Sequence, residues 1–277
     1  MNKQGTLYIV GTPVGNLEDM SFRAVRILKE VDLIAAEDTR HTRKLLNHFQ
    51  IHVPLESYHK FNEKTRVTGS ITKLKNGQDI ALVSNAGMPT ISDPGEILVR
   101  EAIANGITVV PVPGPCALIL ALAASGLSTE QFIFVGFLPR KRSLRLKRLV
   151  EAREYPHTII LYESGPRLAN TITDIRKIMG DRSCVIANEL TKKFEKIIRG
   201  TCDTILTRLN TAKGEFVLLV AGCSQPEQPA TMPLKQEVER LQQEFGISAK
   251  EAIKMFAAWR QTPKRTVYEK WLKERKD

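Results

Sequence analysis

The 277-residue sequence has few cysteines and no long apolar run. Its longest apolar stretch, residues 116–124, is about half of the roughly 18 residues that a membrane-spanning helix requires. The four cysteines form no Cys-x-x-Cys pair, which excludes a disulfide-stapled scaffold, and the histidines lack acidic or cysteine partners at zinc-ligand spacing. The first residues also lack the layout of a secretory signal. We therefore expect a cytoplasmic protein with reduced thiols, no membrane span and no metal.

The charge balance favours a polyanionic partner. The chain has 41 Lys and Arg residues against 30 Asp and Glu residues, a net charge of +11. Such an excess is typical of proteins that bind nucleic acid. The hydrophobic share of 42% is that of an ordinary globular protein, which excludes a disordered chain.

Short β-branched runs alternate with segments of helical periodicity, which predicts an α/β fold with a parallel sheet. We expect an N-terminal α/β domain at 1–138, a basic linker at 139–153, a second α/β domain at 154–225 and a helical C-terminal domain at 234–277. The predicted strands are 6–10, 33–36, 80–84, 108–112, 132–135, 158–162, 184–188 and 216–221.

Two segments have the composition of linkers. Residues 139–153 contain seven basic and one acidic residue, and residues 222–233 contain three prolines in polar surroundings. In the helical region that follows, Ser248 and Glu251 have the spacing of a capping box. With eleven basic and seven acidic residues, residues 234–277 fit either a nucleic-acid-binding helix set or a packing appendage.

Three loops are predicted to follow strands at the edge where α/β proteins bind ligands. They are GTPVGNLEDMS at 11–21, SNAGMPTISDPG at 84–95 and the Pro-Gly-Pro turn within 110–127. None contains GxGxxG or GK[ST], so neither a dinucleotide fingerprint nor a phosphate loop is present. Each loop alone fits a tight turn, but the three together indicate a ligand site.

These loops, with AAEDTRHTRKLL, LYESGPRL, NELTKKFEKIIRGT and KGEFVLLVAG, closely resemble the RsmI family. Its members are cytidine 2'-O-methyltransferases of small-subunit ribosomal RNA with the tetrapyrrole-methylase fold. The resemblance implies a homodimer of two-domain α/β subunits that binds S-adenosylmethionine in the cleft between the domains. It also implies a partner, either the ribosomal RNA or the assembled small subunit.

Matching the motifs carries the family's cofactor contacts onto eleven residues of this chain. They are Pro13, Asn85, Ala86, Gly87, Asp93, Cys116, Ala117, Tyr162, Leu190, Ala221 and Gly222. Two positions depart from the family pattern. Asn85 stands where the family usually has Asp, and Gly165-Pro166 stands where a polar residue and His are common.

A ribose hydroxyl is a weak acid, so its methylation calls for alignment and is helped by a base or a nearby cation. The candidates are Glu37, Asp38, Asp93, Glu163, Glu189, Lys192 and Lys193, and the sequence does not choose among them. Because the ELTKK segment follows a predicted strand, we favour Lys193 or Lys192 as base or alkoxide stabiliser, oriented by Glu189. Asp38 fits either a proton acceptor or a helix cap.

Seven cations are predicted to contact RNA phosphates, with a solvated helix face as the alternative. They are Arg40, Arg43, Lys44, Arg140, Lys141, Arg142 and Arg145. Two rival functions stay open at this stage. One is C-methylation of a tetrapyrrole on the same fold, and the other is a noncatalytic RNA-binding assembly factor, which would need no cofactor cleft.

Overall fold

The protein is described from a computed structural model that covers residues 4–209, 213–223, 233–260 and 262–274. Its residues divide into two compact units. Unit 1 comprises Met1–Leu120 and Glu189–Glu195, and unit 2 comprises Ala121–Asn188 and Lys196–Asp277. The predicted proline-containing linker at 222–233 lies outside the described residues for all but positions 222, 223 and 233.

Unit 1 contains a five-stranded sheet of order β3-β2-β4-β1-β5 in which all neighbours are parallel. Its strands are β1 (Thr6–Val10), β2 (Leu33–Ala36), β3 (Leu55–Ser57), β4 (Ile80–Val83) and β5 (Thr108–Val112). Every residue of β2 and β4 is buried, as expected for central strands covered on both faces. The predicted parallel α/β architecture is confirmed. The sequence did not reveal β3, because it is only three half-buried residues long.

The helices of unit 1 follow its strands and pack apolar clusters onto the sheet. They are α1 (Phe22–Glu30), α2 (Thr39–His48), α3 (Glu63–Lys75) and α4 (Glu96–Ala104), while α5 (Ala117–Ala123) crosses the boundary between the units. Helix α1 begins where the Ser21 hydroxyl accepts a hydrogen bond from the Ala24 amide at 3.1 Å. This cap ends the loop that follows β1 at a fixed point.

Unit 2 contains a mixed five-stranded sheet of order β6-β7-β10-β8-β9. Its strands are β6 (Phe132–Phe137), β7 (Thr158–Ser164), β8 (Ser183–Asn188), β9 (Lys196–Thr201) and β10 (Glu215–Val220). Only β6 and β7 pair in parallel. The assignment of 132–135 to the N-terminal domain was wrong, because this strand forms its ladder with β7. Strand β9 is a partly exposed edge strand that the sequence did not reveal.

The basic segment at 139–153 is not a linker. It forms helix α6 (Arg142–Ala152), whose buried face includes Leu146 and Leu149. The other helices in this part of unit 2 are α7 (Gly165–Met179) and α8 (Cys202–Arg208). Aliphatic residues recur at helical spacing between the cations of this segment, and they form the apolar face of α6. The linker prediction considered only the basic composition and therefore missed this face.

The C-terminal helices belong to unit 2 and do not form a separate unit. They are α9 (Leu234–Phe245), α10 (Ala249–Trp259) and α11 (Lys264–Glu274). Their buried side chains join one apolar cluster with those of α6, α7 and the second sheet. The predicted capping box of Ser248 and Glu251 is confirmed at the start of α10. Within the described ranges, no helix combines the length and apolarity needed to cross a membrane.

Candidate functional site

The loops after β1 and β4 are joined by backbone hydrogen bonds at the carboxyl edge of the first sheet. The amide of Thr12 donates to the carbonyl of Gly87, and the amide of Gly87 donates to the carbonyl of Thr12, both at 2.9 Å. The Thr12 hydroxyl also donates to the Ser84 carbonyl at 3.1 Å. Because Thr12 and Ser84 are buried, these bonds hold the first two predicted loops in one fixed arrangement.

The loop after β5 approaches the first loop through two glycines. A Cβ added to Gly11 would lie 2.7 Å from the Gly114 Cα, and one added to Gly114 would lie 2.6 Å from the Gly11 Cα. No side chain fits at either position without a backbone shift. The structure therefore brings the three predicted loops together within unit 1.

Asn85, in the second loop, has a backbone amide and a side-chain oxygen at this edge of the sheet. Its backbone amide donates to a carboxylate oxygen of Glu37 at 3.3 Å, which connects the second loop to the end of β2. Its side-chain Oδ1 is buried and has no hydrogen-bond partner in the part of the chain that the structure describes. Buried acceptors are nearly always satisfied. An unsatisfied one in a strand-end loop points to a ligand that donates a hydrogen bond.

The second loop also contains two residues in the left-handed backbone region. Thr90 has φ of 75° and Ser92 has φ of 65°, conformations that favour glycine. Such strain costs on the order of 1–3 kcal/mol per residue and concentrates at ligand-binding sites. It persists here in a loop anchored at both ends, at Gly87 by the bonds to Thr12 and at Gly95 by the Glu63 carboxylate.

The segment Glu189–Glu195 leaves the second sheet after β8 and belongs to unit 1. A Cβ added to Gly15 would lie 2.4 Å from Lys192 Cγ and 2.7 Å from the Leu190 carbonyl oxygen, so the segment packs on the first loop. Glu189 and Thr191 have φ of 53° and 64°. The predicted catalytic segment therefore lies beside the first loop, in a strained conformation.

The two lysines of this segment differ in their partners. The Lys192 ammonium donates to the Glu189 carboxylate at 2.9 Å, as expected if Glu189 orients it. The Lys193 ammonium lies 5.8 Å from the centre of the Phe194 ring. Both lysines are exposed. A lysine base requires desolvation, so this geometry favours stabilisation of negative charge over proton abstraction.

Asp38 is a helix cap, one of the two roles that the sequence left open for it. Its carboxylate accepts hydrogen bonds from the Arg40 amide at 2.8 Å and from the Arg40 guanidinium at 3.0 Å. These bonds lower the pKa of Asp38 to about 2. A carboxylate that binds protons so weakly is a poor general base near neutral pH.

Glu163, another candidate base, is fully engaged in unit 2. Its carboxylate accepts from the Ser164 amide at 2.8 Å and from the Thr171 hydroxyl at 2.7 Å, and it pairs with Arg167 at 3.3 Å. The side chain is 1% exposed. This arrangement stabilises the start of α7 and leaves no open face for a substrate proton.

The contacts of one predicted RNA-binding arginine of α6, Arg145, contradict its assignment. Arg145 is buried and forms a hydrogen-bonded ion pair with Asp174 at 2.6 Å, so it cannot contact RNA. Arg142 binds the same carboxylate at 3.0 Å and the Phe245 carbonyl at 3.2 Å. The Arg142 side chain is 48% exposed, and the remaining predicted RNA contacts are also exposed: Arg40, Arg43, Lys44, Arg140 and Lys141.

The predicted cofactor residues are distributed over both units. Tyr162, on β7 of unit 2, packs against the rings of Phe134 at 4.9 Å and Phe137 at 5.6 Å. Gly222, which follows Ala221, has no room for a side chain, because an added Cβ would lie 2.1 Å from the Pro156 carbonyl. The others lie on the loops and segment of unit 1: Pro13, Asn85, Ala86, Gly87, Asp93, Cys116, Ala117 and Leu190.

Residues 6–206 match the model of the family described as Tetrapyrrole (Corrin/Porphyrin) Methylases. The chain belongs to the tetrapyrrole methylase family. A crystal structure of uroporphyrin-III C-methyltransferase from Thermus thermophilus, complexed with S-adenyl homocysteine, has the same fold. Its TM-score is 0.55 at 16% identity, and the match covers 78% of this tetrapyrrole methylase and 97% of that chain.

Closer relatives of this tetrapyrrole methylase bear the name ribosomal RNA small subunit methyltransferase I. The protein of Halalkalibacterium halodurans is 49% identical over 96% of this chain and 94% of its own length. That of Synechocystis is 46% identical over 96% of both chains. These matches confirm the predicted RsmI resemblance.

Proposed function

We propose that this tetrapyrrole methylase transfers a methyl group from S-adenosylmethionine to the 2'-hydroxyl of a cytidine in small-subunit ribosomal RNA. The observation that carries the proposal is its identity of 45–49% over 96% of its length to ribosomal RNA small subunit methyltransferase I proteins. The net charge of +11 suits an RNA substrate better than a tetrapyrrole. We further propose that the enzyme works as a homodimer in the cytoplasm.

The first and second loops of unit 1 fit the methyl donor. S-adenosylmethionine presents amino and hydroxyl hydrogens, and the buried Oδ1 of Asn85 lacks a donor. Asn in place of Asp removes a negative charge at this position but keeps an acceptor oxygen. We therefore assign Asn85, Ala86, Gly87 and Pro13 to the cofactor site, and the remaining motif-matched residues stay proposed contacts.

When bound, S-adenosylmethionine supplies an electrophilic methyl group on its sulfonium. The residues of this chain then have to align the ribose hydroxyl with that methyl group and stabilise the charge that develops on the oxygen. We assign the second task to Lys192 and Lys193. Glu189 orients Lys192 through their ion pair, and the packing of Lys192 on Gly15 fixes its position beside the first loop.

The reaction is tested with the purified protein, S-adenosylmethionine and an RNA substrate from cells that lack this protein. The substrate is either the assembled small subunit or free ribosomal RNA. Mass mapping of the RNA should show one new 2'-O-methylcytidine. A methyl group on a base, or methylation of a tetrapyrrole instead of RNA, would contradict the proposal. Calorimetric titration with S-adenosylmethionine separates an enzyme from a noncatalytic assembly factor, because the latter should not bind it.

The lysine roles are separated by single-turnover kinetics at saturating RNA. Loss of a group that acts on the reacting oxygen should reduce the saturated rate by about 10²-fold, with little change in RNA affinity. Loss of a phosphate contact should weaken binding and leave the saturated rate nearly intact. If Lys192→Ala and Lys193→Ala both keep the wild-type saturated rate, neither lysine stabilises the developing charge.

A further inference from the structure

A groove lined by lysines lies within unit 2, among helices α6, α10 and α11. Its cavity volume is about 630 Å³, and its lining includes Lys141 just before α6, Lys147 on α6, Lys254 on α10 and Lys264 on α11. All four lysines are exposed. The helical spacing of α6 explains this division of the basic run, because Arg142 and Arg145 turn to Asp174 while Lys141 and Lys147 face the groove.

A second cavity, of about 750 Å³, adjoins the first and shares Lys264 with it. It lies between α10 and α11 and adds Lys250, Arg265 and Tyr268 to the lining. Tyr268 is 44% exposed, and its ring is centred 6.0 Å from that of Trp271. The buried indole therefore packs against one side of a ring that keeps an exposed part for a ligand.

The two cavities together carry six cations and a single acidic residue, Glu251. The Glu251 carboxylate is already used in the capping box, where it accepts from the Ser248 amide at 3.1 Å and from its hydroxyl at 2.9 Å. Within the described part of the chain, Lys141, Lys254 and Lys264 have no carboxylate within 4.0 Å. Their charges are available to an external anion.

We propose that these two cavities, named here the lysine groove, bind a single-stranded segment of the RNA substrate. The lysines contact successive phosphates, and one unpaired base stacks on Tyr268. Stacking on an exposed aromatic ring beside cations is how proteins hold unpaired RNA, whereas a duplex keeps its bases stacked inside. The inference rests on the proposed function, and it assigns RNA recognition to residues of unit 2.

The electrostatic part is tested with the triple variant Lys141→Ala, Lys254→Ala, Lys264→Ala. The matched control removes three exposed lysines elsewhere, with Lys29→Ala, Lys75→Ala and Lys177→Ala. RNA affinity of the full-length protein is measured against salt concentration. For three single-strand phosphate contacts the slope of log affinity against log salt should fall by about 2 in the groove variant. The control should keep the wild-type slope.

The stacking part is tested with Tyr268→Ala and Tyr268→Phe. The alanine variant should bind unpaired RNA about fivefold to a hundredfold more weakly, and the phenylalanine variant should bind like the wild type because it keeps the ring. Thermal unfolding confirms that each variant is folded. S-adenosylmethionine affinity should be unchanged in every variant.

The outcomes distinguish failure of this inference from failure of the proposed function. Equal salt slopes in the groove variant and the control, or equal RNA affinity of the Tyr268→Ala variant and the wild type, would overturn the lysine groove while wild-type methylation stands. Normal binding of free RNA with weakened binding of the assembled subunit would overturn it in favour of a protein partner. Absence of RNA methylation by the wild type would instead contradict the proposed function.

Discussion

Two glycines fix how closely the first and third loops of unit 1 approach each other. Replacing Gly11 by Ala would place a Cβ 2.7 Å from the Gly114 Cα and also 2.7 Å from the Met88 sulfur. Because one of these neighbours is backbone, a loop must move. We expect Gly11→Ala to reduce methylation by about 10²-fold, since displacement by about 1 Å is enough for such a loss.

The matched control for that substitution is Gly69→Ala. Gly69 lies in the interior of α3 with open space around an added Cβ. Alanine there should raise the free energy of unfolding by about 0.5–1 kcal/mol, because glycine is the poorer helix former. Methylation should be unchanged. Full activity in the Gly11→Ala variant, measured beside this control, would show that the contact of the two loops is unimportant.

Asp38 should influence stability at low pH and not the rate of methyl transfer near neutral pH. Arg40 lowers the pKa of this carboxyl from 3.8 to about 2 in the folded protein. A carboxyl with a depressed pKa stabilises the fold fully above its unfolded-state value and loses that contribution as the pH falls through the folded value. The stabilisation is therefore complete at neutral pH and disappears between about pH 4 and pH 2.

The variants Asp38→Asn and Asp38→Ala test this assignment. Asn is a good N-cap, so Asp38→Asn should retain α2 and the pH dependence of the single-turnover rate near neutral pH. Asp38→Ala should lower the melting temperature by removing the cap. A loss of rate in the Asn variant without loss of stability would restore a catalytic role for this carboxylate.

At the scale of elements, the packing of α6 on α7 depends on one buried carboxylate. The side chains of Arg145 and Asp174 are 8% and 3% exposed. Removing Arg145 leaves the buried Asp174 carboxylate with only Arg142, whose side chain is 48% exposed, so Arg145→Ala should lower the free energy of unfolding by about 3 kcal/mol. The control Arg148→Ala breaks an exposed pair with Glu151 on the same helix and should cost at most about 1 kcal/mol.

Chemical denaturation of both variants provides the comparison. If the two variants had equal free energies of unfolding, the buried Arg145–Asp174 pair would stabilise the fold no more than the exposed Arg148–Glu151 pair. RNA affinity gives a second measurement, because buried Arg145 makes no phosphate contact. Its salt slope should equal that of the wild type wherever the variant remains folded.

At the scale of the whole molecule, the C-terminal helices are part of the structural core of unit 2. Leu234, Val238 and Ile253 are among the buried residues that share a cluster with Leu146 and Ile175. A chain truncated after residue 223 would expose this apolar surface. We expect the truncated protein to aggregate or to show a non-cooperative melting curve. A soluble truncated protein that melts cooperatively would contradict this packing, and the sequence-based expectation of a separable helical domain would then hold.

The sequence by itself determined the features that depend on local pattern. Buried runs such as 33–36 predicted the central parallel strands, because a strand covered on both faces is apolar throughout. The loops after those strands were predicted to lie side by side at one edge of the sheet, because the carboxyl ends of neighbouring parallel strands lie together. The capping box at Ser248 was also readable, since it involves residues only three positions apart.

Only the tertiary structure decided which charged side chains are exposed and which segments of the chain pack together. Arg145 pairs with Asp174, which lies 29 positions away, so a basic run predicted to bind RNA is divided into buried and exposed cations. The segment Glu189–Glu195 belongs to the first unit although β8 and β9 on either side of it belong to the second. Such long-range pairings are fixed by chain topology and by the burial of charge. A local pattern of residue types records neither of these.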